Sequence, residues 1–373
     1  MEQLNLETSL VFTGDLAFTK YFKGIFGSKE ILSEQVCRYL QEADYCVGNI
    51  EGPILSPDAV KSGNYMHFTD ASRAQWLWKH NIRIWNLANN HMLDYEDQGV
   101  QSTVACAEEL NCMTLGAGAD EAAAHKPVIL PENGGIGIVS VTYSAAKAAS
   151  GACRCFHWDE LDAIRMAIAD VRKTCRWCIM LVHGGDEFAL MPMPYTRKRY
   201  LAYLDMGVDV IVGHHPHVVQ NYEVIGSKII FYSLGNFIFD TDYQRAQNNT
   251  ENGILLRLRF SEDKISWDSL PVVIDRENQT VTEGICSPIF KNIDVAAYTK
   301  LWPHAAEGLL YAERRMNSFL NPGKYNRFSP QKWTLREIYG CKTVRGRILL
   351  HGKIKAMLRP KKKAQIVQFL RKG

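Results

Sequence analysis

No uninterrupted apolar run in this sequence approaches the roughly 20 residues that a membrane-spanning helix needs. The opening stretch, Met1 to Glu7, holds Glu2 and Glu7 and no basic region, and the apolar segment behind it breaks at Gly14-Asp15. That pattern does not read as a secretory signal, so the chain as given is expected to be cytosolic. Internal repeats and low-complexity linkers are also absent, which excludes repeat arrays and flexible tethers. One region lacks acidic residues. From Ile338 to the last residue there is no Asp or Glu, while Lys and Arg side chains give +11, so with +3 for all 373 residues the remainder stands at −8. An acidic body carrying a basic tail needs an explanation.

What is present is ordinary for a globular protein of one large or two modest domains: 46% hydrophobic residues and 22% charged. Ten cysteines occur. Without an export signal, in a chain this long, they are expected to stay reduced. Cys153-Arg154-Cys155 and Cys175-Arg176-Trp177-Cys178 allow a four-thiolate zinc reading, but Cys178 opens an apolar strand and fits a core position better. The same CxxC leads into a strand, whereas thiolate activation favours a helix N-terminus, so it is a poor redox motif.

Helices and strands alternate to about residue 275. Helical spacing points to helices near Lys29 to Gln41, Ala71 to His80, Gln98 to Glu109, Trp158 to Thr174 and Thr196 to Met206. Strands are expected at Pro127 to Leu130, Gly135 to Tyr143, Lys228 to Ser233, Ile254 to Phe260, Ile265 to Ser269 and Pro271 to Ile274. Leu55 to Phe68 lacks periodicity and reads as a long loop. Helix-linked strands mixed with hairpins favour two packed sheets with helices outside, and the chain beyond Val281 reads as helical.

Five apolar strands end abruptly in polar residues that can bind metals. They are Leu10 to Asp15, Tyr45 to Glu51, Ile84 to His91, Ile179 to Gly185, and Val210-Ile211-Val212-Gly213-His214-His215-Pro216-His217. In open α/β sheets the ligand site lies at the carboxyl ends of strands, where residues distant in sequence meet. A mixed set of carboxylate, amide and imidazole groups suits Mn, Fe or Zn. Singly, His183 or Asp15 would more often be a hydrogen-bonded structural group. Several buried together call for a cation.

In chain order, Thr13-Gly14-Asp15, Gly48-Asn49-Ile50-Glu51, Asn86 to His91 with Asp94, His183-Gly184-Gly185-Asp186-Glu187, Gly213 to His217 and Tyr232 to Asp240 resemble the CapA family of capsule and poly-γ-glutamate synthesis proteins. That family has the calcineurin-like metallophosphoesterase fold. The resemblance spans roughly residues 9 to 260. It implies an α/β fold, a four-layer α/β/β/α sandwich, here over residues 1–280 with a helical extension over 281–373. It further implies two divalent ions held by Asp15, Glu51, Asn90, His183, His215 and His217, with His91 poised beside the substrate. Asp94 either orients a histidine or caps the next helix. Asn49, Glu187, His214 and Asn236 are candidates for the substrate side, although for Asn49 and Asn236 the plainer role is locking loops. Family members usually have Trp where this chain has Gly184, so a more open wall is expected there.

The implied activity is metal-dependent hydrolysis of an anionic polymer or a phosphorylated small molecule, in capsule or poly-γ-glutamate-type polymer synthesis. The alternative is a non-catalytic accessory with a structural metal site that binds the polymer or its synthase. Arg197 and Arg199 could hold an anionic substrate or simply stay exposed at a helix start. In the tail, Leu350, Ile354, Met357 and Leu358 lie at helical spacing among basic residues. That suits a helix on an anionic membrane surface, which would place the protein peripherally at the inner face, or a helix docked on the acidic body. Nucleic-acid binding ranks below both, because no recognition motif accompanies the charge.

Overall fold

A computed structural model of the protein describes residues 7–23, 30–55, 67–143 and 151–301. The basic tail and most of the long loop before Phe68 lie outside the described residues. The chain through Asp294 makes one compact unit and a second begins at Val295. Of the second unit only the short helix Val295–Leu301 is described.

Strand alternation builds the first unit. On Thr8–Leu16, Leu10 and Phe12 enter one apolar cluster and Val11 the other; Val47 and Cys46, and Ile84 and Trp85, divide in the same way. Side chains two apart share a face, so these three strands are buried on both sides. The sheet has eight strands. From one edge they run Thr280–Glu283, Ile265–Asp275, Asn252–Phe260, Thr8–Leu16, Tyr45–Ile50, Ile82–Asn86 and Met113–Leu115, with Asn236–Ile238 also paired to Thr8–Leu16. The second sheet runs Tyr222–Ile225, Lys228–Phe231, Val210–His214, Trp177–His183, Ile136–Thr142 and Val128–Leu130.

One apolar cluster joins the two sheets, combining Leu10, Phe12, Val47 and Ile84 with Ile138, Ile179, Leu181 and Val212. The other joins the eight-stranded sheet to its helices through Val36, Leu40, Leu77 and Val100. Leu161–Thr174 and Pro194–Asp205 pack on the six-stranded sheet. This is the four-layer α/β/β/α sandwich.

The helix expected from Lys29 begins at Glu34, because the Ser33 hydroxyl caps it by accepting from Val36 N at 3.3 Å, and Leu32 bridges to Val281 instead. The helix expected from Trp158 starts at Leu161, which stays exposed. The two strands expected around Pro271 are one strand, Ile265–Asp275. Pro271 lacks an N–H, yet its carbonyl still accepts from Gly284 N at 2.9 Å, so the ladder passes through it. Thr280–Glu283 continues the same sheet, which carries the first unit past residue 280. Among the described residues no helix is long and apolar enough to cross a membrane.

Candidate metal centre

Parallel pairing brings the polar strand ends to one edge. In the eight-stranded sheet Asp15 is level with Asn49 and Asn236, and Asn49 with Asn86; in the other sheet His183 is level with His214. The two edges meet. His214 Nε2 lies 3.0 Å from the Thr13 carbonyl on the opposite sheet. Behind it, Gly213 is required, since a Cβ there would sit 2.1 Å from the Tyr232 carbonyl. His215 and His217, either side of Pro216, adopt φ of 95° and 56°, conformations that non-glycine residues rarely hold and that cost about 1–3 kcal/mol each. The turn is thereby bent so that both imidazoles, 5.9 Å apart, face inward.

At the centre lie Asp15, Glu51 and His183, each wholly buried, with one ligand atom apiece within 4.8 Å of the others. Around Glu51 Oε1 stand His217 Nε2 at 3.6 Å, His91 Nε2 at 3.9 Å and His183 Nε2 at 4.0 Å. Asp15 Oδ2 lies 3.1 Å from His217 Nδ1, and Asn90 Oδ1 lies 2.8 Å from His183 Nε2. The ring of His215 sits 5.0 Å from that of His183. All six residues that resemblance assigned to the ions therefore gather here.

Both oxygens of Glu51 are buried and accept no hydrogen bond among the described residues. A buried ionised carboxylate without hydrogen bonds costs several kcal/mol, and a divalent cation among oxygen and imidazole donors removes that cost. The donor set thus fits a hard-to-borderline divalent ion. Electrostatics point the same way. Burial pushes the Glu51 carboxyl well above the carboxylate range. His183 is driven well below its ordinary value by burial and by the neighbouring histidines. Burial opposes charge on His217 as well, but Glu51 and Asp15 outweigh it and raise that imidazole.

The hydrogen bonds around the centre set individual roles. Asn236 Nδ2 donates to the carbonyls of Thr250 and His217, leaving its Oδ1 to accept from His217 Nδ1 at 2.9 Å. That bond directs His217 Nε2 at Glu51 and makes Asn236 a positioning group. Asn49 Nδ2 donates to Asp15 Oδ1 at 2.8 Å, while its Oδ1 accepts from Asn86 Nδ2 at 2.8 Å; Asn86 in turn accepts from Ser140. This chain crosses from one sheet to the other. Asn49 thus ties Asp15 to the chain that spans the two sheets. His91 Nδ1 is 2.7 Å from Asp94 Oδ2, and the helix Glu96–Glu109 has Tyr95, not Asp94, at its N-cap. Asp94 therefore orients His91. Glu187 stands at the rim, half-exposed, accepting from Tyr243 at 2.9 Å.

Two expectations are corrected. Arg197 makes a forked pair with Glu223 at 2.9 and 2.6 Å, and Arg199 donates to the Trp158 carbonyl at 2.9 Å, so both support the scaffold. Nor is the wall more open at Gly184. A Cβ there would lie 2.7 Å from Cζ3 of Trp158, whose indole fills the space. Residue 158 supplies the aromatic wall in place of residue 184. The four paired cysteines join no group at metal-binding distance among the described residues.

Sequence reasoning gave no role to Asn86, Tyr143 or His67. Tyr143 packs on His215 at 4.4 Å, and His67 meets His91 edge-on at 4.4 Å. His67 follows an aperiodic stretch with no motif around it, so only its position in space reveals it. Burial holds its imidazole down to about 3.

The family described as bacterial capsule synthesis protein PGA_cap matches residues 9–241, a span that contains Asp15, Glu51, Asn90, His183, His215 and His217. The chain belongs to this family. Its similarity to the Bacillus anthracis capsule biosynthesis protein CapA is 26% identity over 325 residues, 83% of this chain and 76% of that protein. With the Bacillus subtilis (strain 168) PGA biosynthesis protein CapA it shares 29% over 250 residues, 65% of this chain and 66% of the relative. A probable polyglutamine synthesis accessory protein of Mycobacterium tuberculosis is 25% identical over 229 residues, 54% of this chain and 60% of that one. A crystal structure of a hypothetical protein from Thermus thermophilus overlaps at a TM-score of 0.42 with 12% identity, over 71% of this chain and 99% of that one. Beside this centre the rings of Trp158 and Tyr143 meet edge-on at 5.8 Å.

Proposed function

We propose that this protein is a metal-dependent hydrolase acting on an anionic polymer, or on its phosphorylated precursor, in capsule or poly-γ-glutamate-type polymer synthesis. The observation that carries the reading is Glu51: a wholly buried carboxylate whose oxygens accept no hydrogen bond among the described residues, ringed by the Nε2 atoms of His91, His183 and His217. Asp15, Glu51, Asn90, His183, His215 and His217 would hold two divalent ions. When bound, such ions supply Lewis-acid polarisation and a nucleophile near neutral pH.

The residues do the rest. Asn236 and Asn49 hold His217 and Asp15 in place through the bonds described above. His91, with Nδ1 committed to Asp94, presents Nε2 toward the centre and can hold a proton there for a leaving oxygen. Burial disfavours its charge, but the Asp94 bond and the Glu51 carboxylate together raise it. Trp158, Tyr143 and Phe239 supply apolar wall that limits water. The names of the relatives support polymer synthesis as the setting.

The test is hydrolysis of a panel of phosphomonoesters and phosphodiesters by full-length protein loaded with Mn²⁺. Turnover that vanishes with chelator and in metal-depleted His215→Ala protein supports the hydrolase. Full activity in metal-free His215→Ala protein rejects it. Absence of turnover at full metal occupancy assigns the chain to the accessory role, which the name of the mycobacterial relative favours.

A further inference from the structure

On the outer helical layer of the eight-stranded sheet, away from the strand ends that form the centre above, three potential ligands of different chemistry converge. They are Glu30, Cys37 in the helix Glu34–Gln41, and His80 at the end of the helix Ala74–Lys79. One ligand atom from each lies within 4.8 Å of the other two. We infer that these three residues form a second metal site, of zinc type, with no part in the hydrolytic centre.

Hydrogen bonding supports this assignment. His80 Nδ1 lies 2.9 Å from the Trp76 carbonyl, and a carbonyl can only accept, so Nδ1 carries the hydrogen. The Nε2 lone pair of the neutral ring then faces Glu30 Oε2 at 3.1 Å, acceptor against acceptor. Such a pair requires either a second proton or a cation between them. A histidine donating one ring nitrogen to a backbone carbonyl and offering the other is the usual arrangement of a zinc-bound imidazole. Stacking of the ring on Trp76, 3.9 Å between centroids, further fixes its plane.

Glu30 is likewise oriented. Its Oε1 accepts from the backbone of Ile31 and Leu32 at 2.9 and 3.0 Å, which leaves Oε2 for the site. A simple histidine–glutamate ion pair would not need a thiol. Cys37, which also packs against the apolar core, brings a sulfur to the same place, and sulfur, imidazole and carboxylate together are a zinc donor set. His80 is buried, Cys37 half-buried and Glu30 exposed, so a fourth position is left to solvent. Bound metal would tie the segment entering the first helix to the end of the second.

Cobalt distinguishes the sites, since the hydrolytic centre contains no cysteine. Chelator-stripped full-length protein titrated with Co²⁺ should develop near-ultraviolet thiolate-to-cobalt charge-transfer absorption, bleached by added Zn²⁺. Cys37→Ala should lose that band and bind one equivalent of cobalt less, with the His215-dependent equivalents retained. Absence of the band in the wild-type protein, or its survival in Cys37→Ala, overturns the site. Should Cys37→Ala fail to fold, the exposed-side substitution Glu30→Gln must weaken cobalt binding at the band; an unchanged titration counts against the site equally.

Discussion

His91 Nδ1 and Asp94 Oδ2 lie 2.7 Å apart, three residues from each other at the head of a helix that neither caps. The pairing fixes which nitrogen of His91 faces the centre and helps hold its proton. Asp94→Asn should leave metal content unchanged and lower turnover about 10–100-fold. Because Asp94 raises the His91 imidazole, its loss should move the alkaline limb of the rate profile to lower pH. An unshifted limb in a pH-rate series would remove His91 from the role of acid.

Glu51 makes the metal-free protein sensitive to pH. Burial raises its carboxyl from 4.5 to about 8, so the folded state binds a proton that the unfolded state has released. The contribution is fully present below the unfolded value and is lost as pH rises through the folded one. Thermal melts of stripped protein should therefore fall between these limits, and saturating Mn²⁺ should flatten the dependence. Glu51→Gln should stabilise stripped protein by about 1–3 kcal/mol and forfeit the metal-induced gain.

Gly184 and Trp158 occupy one space. Gly184→Ala should cost about 1–3 kcal/mol by overpacking, read as a lower urea midpoint. Gly184→Trp should fail alone and recover when combined with Trp158→Gly. Equal stability of both single variants would show that the indole does not fill this wall.

Cysteine reactivity should follow burial. Cys46, Cys155 and Cys178 are pushed up to about 12, chiefly by desolvation, so almost no thiolate exists near neutral pH. Mass spectrometry after brief alkylation of native protein should find Cys286, which is exposed, and spare those three until denaturation.

The basic tail carries its own prediction. Full-length protein should co-sediment with anionic vesicles and lose this on removal of residues 342–373, at about 1 kcal/mol per basic residue near the surface. Equal partitioning of both forms would leave the helix-on-body reading.

Much of the centre was legible in the linear chain because strands that run parallel deliver their ends to one edge. An apolar run closed by Asp15, Glu51, His183 or the His215-Pro216-His217 turn announces itself without coordinates. What the chain could not show was which polar groups face one another across the sheets. Asn86 reads as one more strand residue until Ser140 and Asn49 flank it, and His67 has no local pattern at all. Arg197 reads as a candidate anion holder until Glu223, distant in sequence, accepts from its Nε and Nη2. Pro271 looks like a strand break because local rules count its missing N–H, not the neighbouring strand that still bonds its carbonyl. Periodicity and strand-end chemistry are local and determined the layers and which strand ends carry polar, metal-compatible side chains. Partner choice depends on distances between segments far apart in the chain, and only the packed sheets decided it.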